Sequence, residues 1–177
     1  SGAVVVLDVP IDGNVTVTTG TVEIRRTVSG TLTVAGGTVR VFDTVTGAVS
    51  ISGGSLVLFE RPGTTITQTG GTLELRNGFA GAVTMSGSGS VLTVRGSSSA
   101  NFTQSAGSST LAGPVTGVLT CSGGTCDVYG AVTGSAVISG TAVFNLRSSL
   151  TRATAGTAVS ISAGTFNLYG GASVYAN

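Results

Sequence analysis

The sequence of 177 residues has no histidine, no lysine and no tryptophan, and only two cysteines, three prolines and one methionine. Without histidine the usual proton shuttle near neutral pH is missing, and two cysteines alone cannot complete a zinc site. Charged residues make up 8% of the chain, about a third of the usual share, and the net charge is +1. That balance leaves no basic surface to neutralise phosphates, so nucleic acid is excluded as a partner. No apolar run approaches the roughly 20 residues of a membrane-spanning helix, and no membrane insertion is expected. The opening Ser1-Gly2-Ala3-Val4-Val5-Val6-Leu7 lacks the positive start of a signal peptide, so for a secreted chain the export signal is expected to have been removed already.

What the chain does have is 29 Gly, 28 Thr, 25 Val and 22 Ser, together more than half of all positions. A repeat explains this bias. Val15-Thr16-Val17-Thr18-Thr19-Gly20-Thr21-Val22-Glu23-Ile24 returns seventeen residues later as Leu32-Thr33-Val34-Ala35-Gly36-Gly37-Thr38-Val39-Arg40-Val41. It recurs from Val49, from Ile66 and, after a two-residue insertion within Ser86-Gly87-Ser88-Gly89-Ser90, from Phe102 and Leu119. Each copy alternates apolar and polar residues twice, with a Gly-Gly type turn between, which is strand chemistry.

Stacked copies place like on like. The inward set of the first full copy is Val15, Val17, Val22, Ile24 and Val28, and the next copies repeat it about 4.8 Å away. The expected fold is all-β: a β-solenoid (parallel β-helix) of nine to ten coils, with three sides. Residues 1–13 are read as a starting coil, 14–134 as regular coils, 135–157 as an irregular coil, and 158–177 as the last coil and C-terminal cap. A hairpin meander shares the alternation, since Gly-Gly suits tight hairpins, but it does not require a constant period. A trimeric fibre in which three chains share one core is the third arrangement.

The alternation also fixes what faces outward. On the first strand of successive coils the outer pairs are Thr16/Thr18, Thr33/Ala35, Ser50/Ser52, Thr67/Thr69, Thr84/Ser86, Thr103/Ser105, Thr120/Ser122 and Ser160/Ser162. On the second strand they are Glu23/Arg25, Arg40/Phe42, Val57/Phe59, Glu74/Arg76, Thr93/Arg95, Asp127/Tyr129 and Asn167/Tyr169, with Glu23 and Arg40 as complementary neighbours. One face is therefore charged, the other a sheet of hydroxyls.

The Thr-x-Thr and Ser-x-Ser pairs resemble those of β-solenoid ice-binding (antifreeze) proteins. That resemblance implies a secreted protein whose hydroxyl array orders water and adsorbs to ice, with no cofactor and no metal. The chain departs from the pattern in its many serines, in Ala35 and in Val137. In composition it also resembles adhesin and autotransporter-like passenger solenoids, which implies a structural fibre or adhesin module with homo-oligomeric or filament neighbours. Threonine ladders stabilise strands whatever their function, so the array is compatible with both.

Other residues carry smaller expectations. Cys121 and Cys126 both fall in inward columns around Ser122-Gly123-Gly124-Thr125; they are read as a disulfide joining two walls of one coil, with two buried free thiols as the alternative. Asn14-Val15-Thr16 and Asn101-Phe102-Thr103 are N-glycosylation sequons. Gln68 and Gln104 stand in otherwise apolar columns and need hydrogen-bond partners there. The stripe Ser29, Thr46, Thr116 and Thr133 is read as a turn requirement. Arg147 and Arg152 are expected to shield an edge, and Tyr169, Val174 and Tyr175 to pack as an end cap or on a partner. The seven carboxylates are scattered, and Glu23 and Glu74 lie three coils apart, too far for a glycosidase pair. The chain is not expected to be an enzyme.

Overall fold

The computed structural model describes residues 4–152 and 156–176. Positions 1–3 of the starting coil, 153–155 of the irregular stretch and Asn177 of the cap lie outside the described residues. The rest forms a succession of short strands, every pair of them parallel. One wall has ten strands, from Val4–Leu7 through Thr21–Ile24 and Thr38–Val41 to Thr165–Leu168. A second wall has nine, from Val15–Val17 through Leu32–Val34 to Val159–Ile161. The chain is a parallel β-solenoid, and parallel pairing throughout rules out the hairpin meander.

Sequence periodicity becomes register directly. Val15 pairs with Leu32 and Val17 with Val34; Val22 pairs with Val39 and Ile24 with Val41. Strands of the nine-stranded wall are three residues long, and those in its middle, such as Val49–Ile51 and Val83–Met85, read buried, exposed, buried. Three residues suffice because each coil is hydrogen-bonded to the one on either side, so no strand needs length of its own. The two-residue insertion at 86–90 is absorbed in the corner, since Val83 pairs with Phe102 and Thr72 with Val91.

The third side is reduced to single bridging residues. Ile11, Val28 and Val45 form one run, and Phe79, Ser98, Val115, Val132 and Leu150 form another. Between them stands Pro62, buried but unable to donate a backbone hydrogen bond. The corner opens there into a cleft of about 260 Å³ lined by Thr44, Val45, Thr46, Arg61, Gly63 and Thr64.

Inside the triangle one apolar core runs from Val17 to Ala158, most of its members with no accessible surface. Each fully buried valine or leucine contributes roughly 1.5–3 kcal/mol over exposure, so ten coils need no other adhesive. The core closes within one chain, which removes the trimer with a shared interior. Corners are held by glycine at positive φ: Gly37 (75°), Gly54 (69°) and Gly71 (67°) stack one per coil. Their carbonyls accept the amide of the following coil, as Gly54 O does from Thr72 N at 2.9 Å.

Residues 135–157 are less irregular than the sequence suggests. Ala136–Ile138 and Val143–Leu146 continue both walls in register, with one extra residue in the corner. The disturbance is confined to the third side, where Ser149–Arg152 pairs with Ser173–Ala176. Arg147 does not shield an edge; its guanidinium is held on the outer face between two tyrosines. Near the C-terminal end, Tyr169, Val174 and Tyr175 are 39%, 38% and 59% exposed. Among the described residues no helix is long and apolar enough to cross a membrane.

Candidate functional site

Both outer faces of the solenoid were candidate surfaces, and the structure treats them differently from the sequence reading. Register stacks the first-strand columns as expected, with Thr16 on Thr33, Ser50 on Thr67 and Thr84 on Thr103. Thr16, Thr18, Ser50, Ser52, Thr67, Thr69, Thr84, Ser86, Thr103, Ser105, Ser160 and Ser162 are exposed, but Thr33, Thr120 and Ser122 are half-buried. Val137 follows Thr120 in the column and breaks it. The hydroxyls of Thr69 and Ser122 turn back to donate to the carbonyls of Ile51 and Gln104, both at 3.4 Å. Other hydroxyls leave the surface altogether: Ser90, Ser98 and Ser109 are buried.

A continuous, flat and fully exposed threonine ladder is therefore absent among the described residues, and the ice-binding reading is withdrawn. Alternation in sequence fixes which side of a strand a hydroxyl occupies. It does not fix how far neighbouring corners cover it, nor whether its proton is spent on the backbone.

The charged face is organised as a ladder. Arg25, Phe42, Phe59, Arg76, Arg95, Ala112, Tyr129, Arg147 and Tyr169 each follow the end of a strand of the ten-stranded wall. Each donates its amide to a carbonyl one coil back, for example Phe42 to Ile24 at 2.9 Å and Tyr129 to Leu111 at 2.8 Å. One coil's rise brings two groups of their side chains into stacking contact. Phe42 and Phe59 stack at 4.4 Å between centroids, and Arg76 lies 4.4 Å from the Phe59 ring. Arg147 is sandwiched, 5.2 Å from the Tyr129 ring and 3.9 Å from that of Tyr169. The gathering of arginine and aromatic residues at one column is visible in the sequence, whereas their stacking depends on side-chain direction and emerges only in the fold.

Glu23, Glu74 and Asp127 stand in the column beside this ladder. Glu74 receives Arg95 at 2.7 Å and Arg76 at 3.3 Å. The hydrogen bond from Arg95 above all, with the nearby Arg76 charge, holds its carboxyl below the usual range against a modest desolvation penalty. Glu23 pairs with Arg25 at 3.2 Å, in its own coil, and not with Arg40 as the sequence implied. Two residues apart where the strand ends, the Glu23 and Arg25 side chains emerge on the same face with no gap between coils to cross. Asp127 accepts from Asn145 at 3.0 Å, and Asn167 in turn donates to Asn145 at 2.8 Å. Each acid on this face is thus tied to cations or amides. On the third side Asp43 is also held below the usual range, chiefly by the backbone N–H of Thr44.

Two sequence motifs resolve into structure. Asn14 Oδ1 accepts the Thr31 amide at 2.9 Å and Asn101 Oδ1 accepts the Val118 amide at 3.0 Å, each reaching one coil onward. The sequon asparagines are corner residues that satisfy backbone donors. The Ser29, Thr46 and Thr116 hydroxyls donate to carbonyls of the preceding coil at 3.2–3.5 Å, which fits the turn role given to that stripe.

The core carries the remaining polar groups. Gln104 donates through Nε2 to the carbonyls of Gly107, Gly123 and Thr125, and its Oε1 accepts from Ser109 at 2.6 Å. Gln68 donates to Gly71 and Val91, while its Oε1 has no partner among the described residues. Cys121 and Cys126 are both buried and stand unbonded to each other in this structure. The hydrogen bond between them, and then burial, push the Cys121 thiol well above its usual range. No group of three or more potential metal ligands occurs among the described residues.

Geometry thus defines the class of the molecule: a self-stacking, three-sided parallel β-solenoid with a cation–aromatic ladder on one outer face. No family model matches the chain, and neither the curated proteins nor the solved structures give a match.

Proposed function

We propose that the chain is a structural fibre or adhesin module of an extracellular filament or surface protein, acting through shape and surface and without catalysis or cofactor. The observation that carries this reading is the unbroken in-register stack of ten and nine parallel strands around a core closed within one chain. Such a stack is a rod: each coil is hydrogen-bonded to the next along the axis, and its length grows with coil number. Its outer faces carry neutral hydroxyls and ion pairs, which suit contact with neighbouring modules or a matrix in a secreted setting.

The test is assembly and adhesion. Purified chain is followed by sedimentation and electron microscopy over rising concentration, and by retention on immobilised matrix polysaccharide and protein. Filaments, a defined oligomer or salt-resistant retention support the reading. Rods that stay monomeric at every concentration and are retained on no surface overturn it.

A further inference from the structure

We infer that Cys121 and Cys126 are a covalent cross-linking site, joined by a small-molecule disulfide oxidant into one bond across two walls of their coil. Cys121 ends the strand Leu119–Cys121 and Cys126 is the second residue of Thr125–Val128. Both point inward with no accessible surface, from opposite sides of a corner turned by Gly124 at φ 73°. Leu119–Cys121 and Thr125–Val128 belong to the two walls of one coil, so the thiols face one another across the core.

The neighbouring coils show that this pair is more than packing. In most earlier coils the same two columns hold apolar pairs, such as Val34 with Val39 and Ile51 with Leu56. In the coil just before, they hold Gln104 and Ser109, whose side chains bond directly at 2.6 Å. Gln68 changes one column alone, opposite Leu73, whereas at these two coils both columns change, first to a polar pair and then to a thiol pair. Through these two coils the walls are tied by specific side-chain pairs.

The chemistry balances with a low-molecular-weight disulfide such as oxidised glutathione. One cysteine thiolate attacks it and releases one small thiol; the second thiolate attacks the mixed disulfide and releases the other. The protein loses two electrons and two protons, and the oxidant becomes two thiols. In the closed coil the thiols are out of reach, and burial disfavours the thiolate. Exchange therefore belongs to the open coil, during folding or local opening, and closure then seals the bond.

The experiment refolds the full chain in a glutathione redox buffer, alkylates it with iodoacetamide under denaturing conditions and digests it with trypsin. Cleavage after Arg95 and Arg147 leaves both cysteines in one fragment, 96–147. The expected fragment is two hydrogens lighter than the reduced form, carries no alkyl group, and gains two after reduction. In Cys121→Ser, checked for folding by circular dichroism, the remaining thiol is expected to carry glutathione or to alkylate. Two alkyl groups on the refolded native chain, a glutathione adduct on each cysteine, or chains linked to one another would overturn the assignment.

Discussion

Ser109 and Gln104 meet inside the core of the solenoid, the serine hydroxyl donating a 2.6 Å hydrogen bond to the amide oxygen. Neither residue has accessible surface, so neither can exchange its partner for water. Ser109→Ala removes one donor and leaves the Gln104 oxygen buried without it, at a cost of about 1–3 kcal/mol. The double variant Gln104→Met with Ser109→Val replaces both partners by residues of the kind found in the same columns, Met85 and Leu92. It is expected to regain most of the loss, since removing both polar groups leaves no orphan between them. Urea unfolding of the two variants checks this; a double variant weaker than Ser109→Ala would mean the carbonyl contacts of Gln104 matter more than its bond to serine.

Arg147 tests the outer ladder. Its guanidinium faces two tyrosine rings and reaches Asp127 at 3.5 Å, with its side chain only 33% exposed. Arg147→Ala is expected to cost about 1–2 kcal/mol, the sum of two partly desolvated cation–π contacts. Arg147→Lys keeps the charge but loses the planar stacking group, and should recover less than half of that. Thermal melts of the two variants, with Tyr129→Ala completing a double-mutant cycle, separate stacking from charge; additive effects would show that ring and guanidinium do not interact.

The solenoid itself was legible because its information is redundant. A seventeen-residue period states the register many times over, and alternation states the inward set, so Val34, Val39, Ile51 and Leu56 follow as core residues from the pattern alone. What failed were properties decided between coils. Glu23 could be seen to stack beside Arg40, yet it pairs with Arg25, because the nearest cation on the same face of its own coil competes better. The hydroxyl columns could be counted, but not the half-burial of Thr33 and Thr120 or the turning of the Thr69 hydroxyl onto Ile51. The backbone role of Asn14 and Asn101 was hidden behind their sequons. Its signal was available: both stand at the same corner position, one residue before the first strand of a coil.

Acid should loosen the ladder at Glu74. Its folded carboxyl titrates below the unfolded one, so its contribution is complete above the unfolded value and is lost as pH falls through the folded value. Glu74→Gln is expected to be less stable than the parent near neutral pH by about 1 kcal/mol or less, the scale of partly exposed ion pairs. That gap should close in acid below the usual carboxylate range and shrink in high salt. Paired melts across pH measure it, and a gap that persists in acid would assign the loss to packing instead of charge.

Two corner glycines separate backbone strain from crowding. Gly20 has φ 81° and open space where a Cβ would sit, whereas Gly54 has φ 69° and would drive a Cβ into the Gly37 carbonyl oxygen. Gly20→Ala therefore meets only the left-handed penalty of about 1–2 kcal/mol. Gly54→Ala meets the same penalty and a collision with the backbone of the coil before it. That carbonyl cannot yield, because it accepts the Ser55 amide at 2.8 Å. The second variant is expected to lose at least about 1 kcal/mol more than the first, with the excess read from denaturant midpoints at unchanged slope. Equal losses would show that the corner can spread, and that the stack tolerates a wider coil than its period suggests.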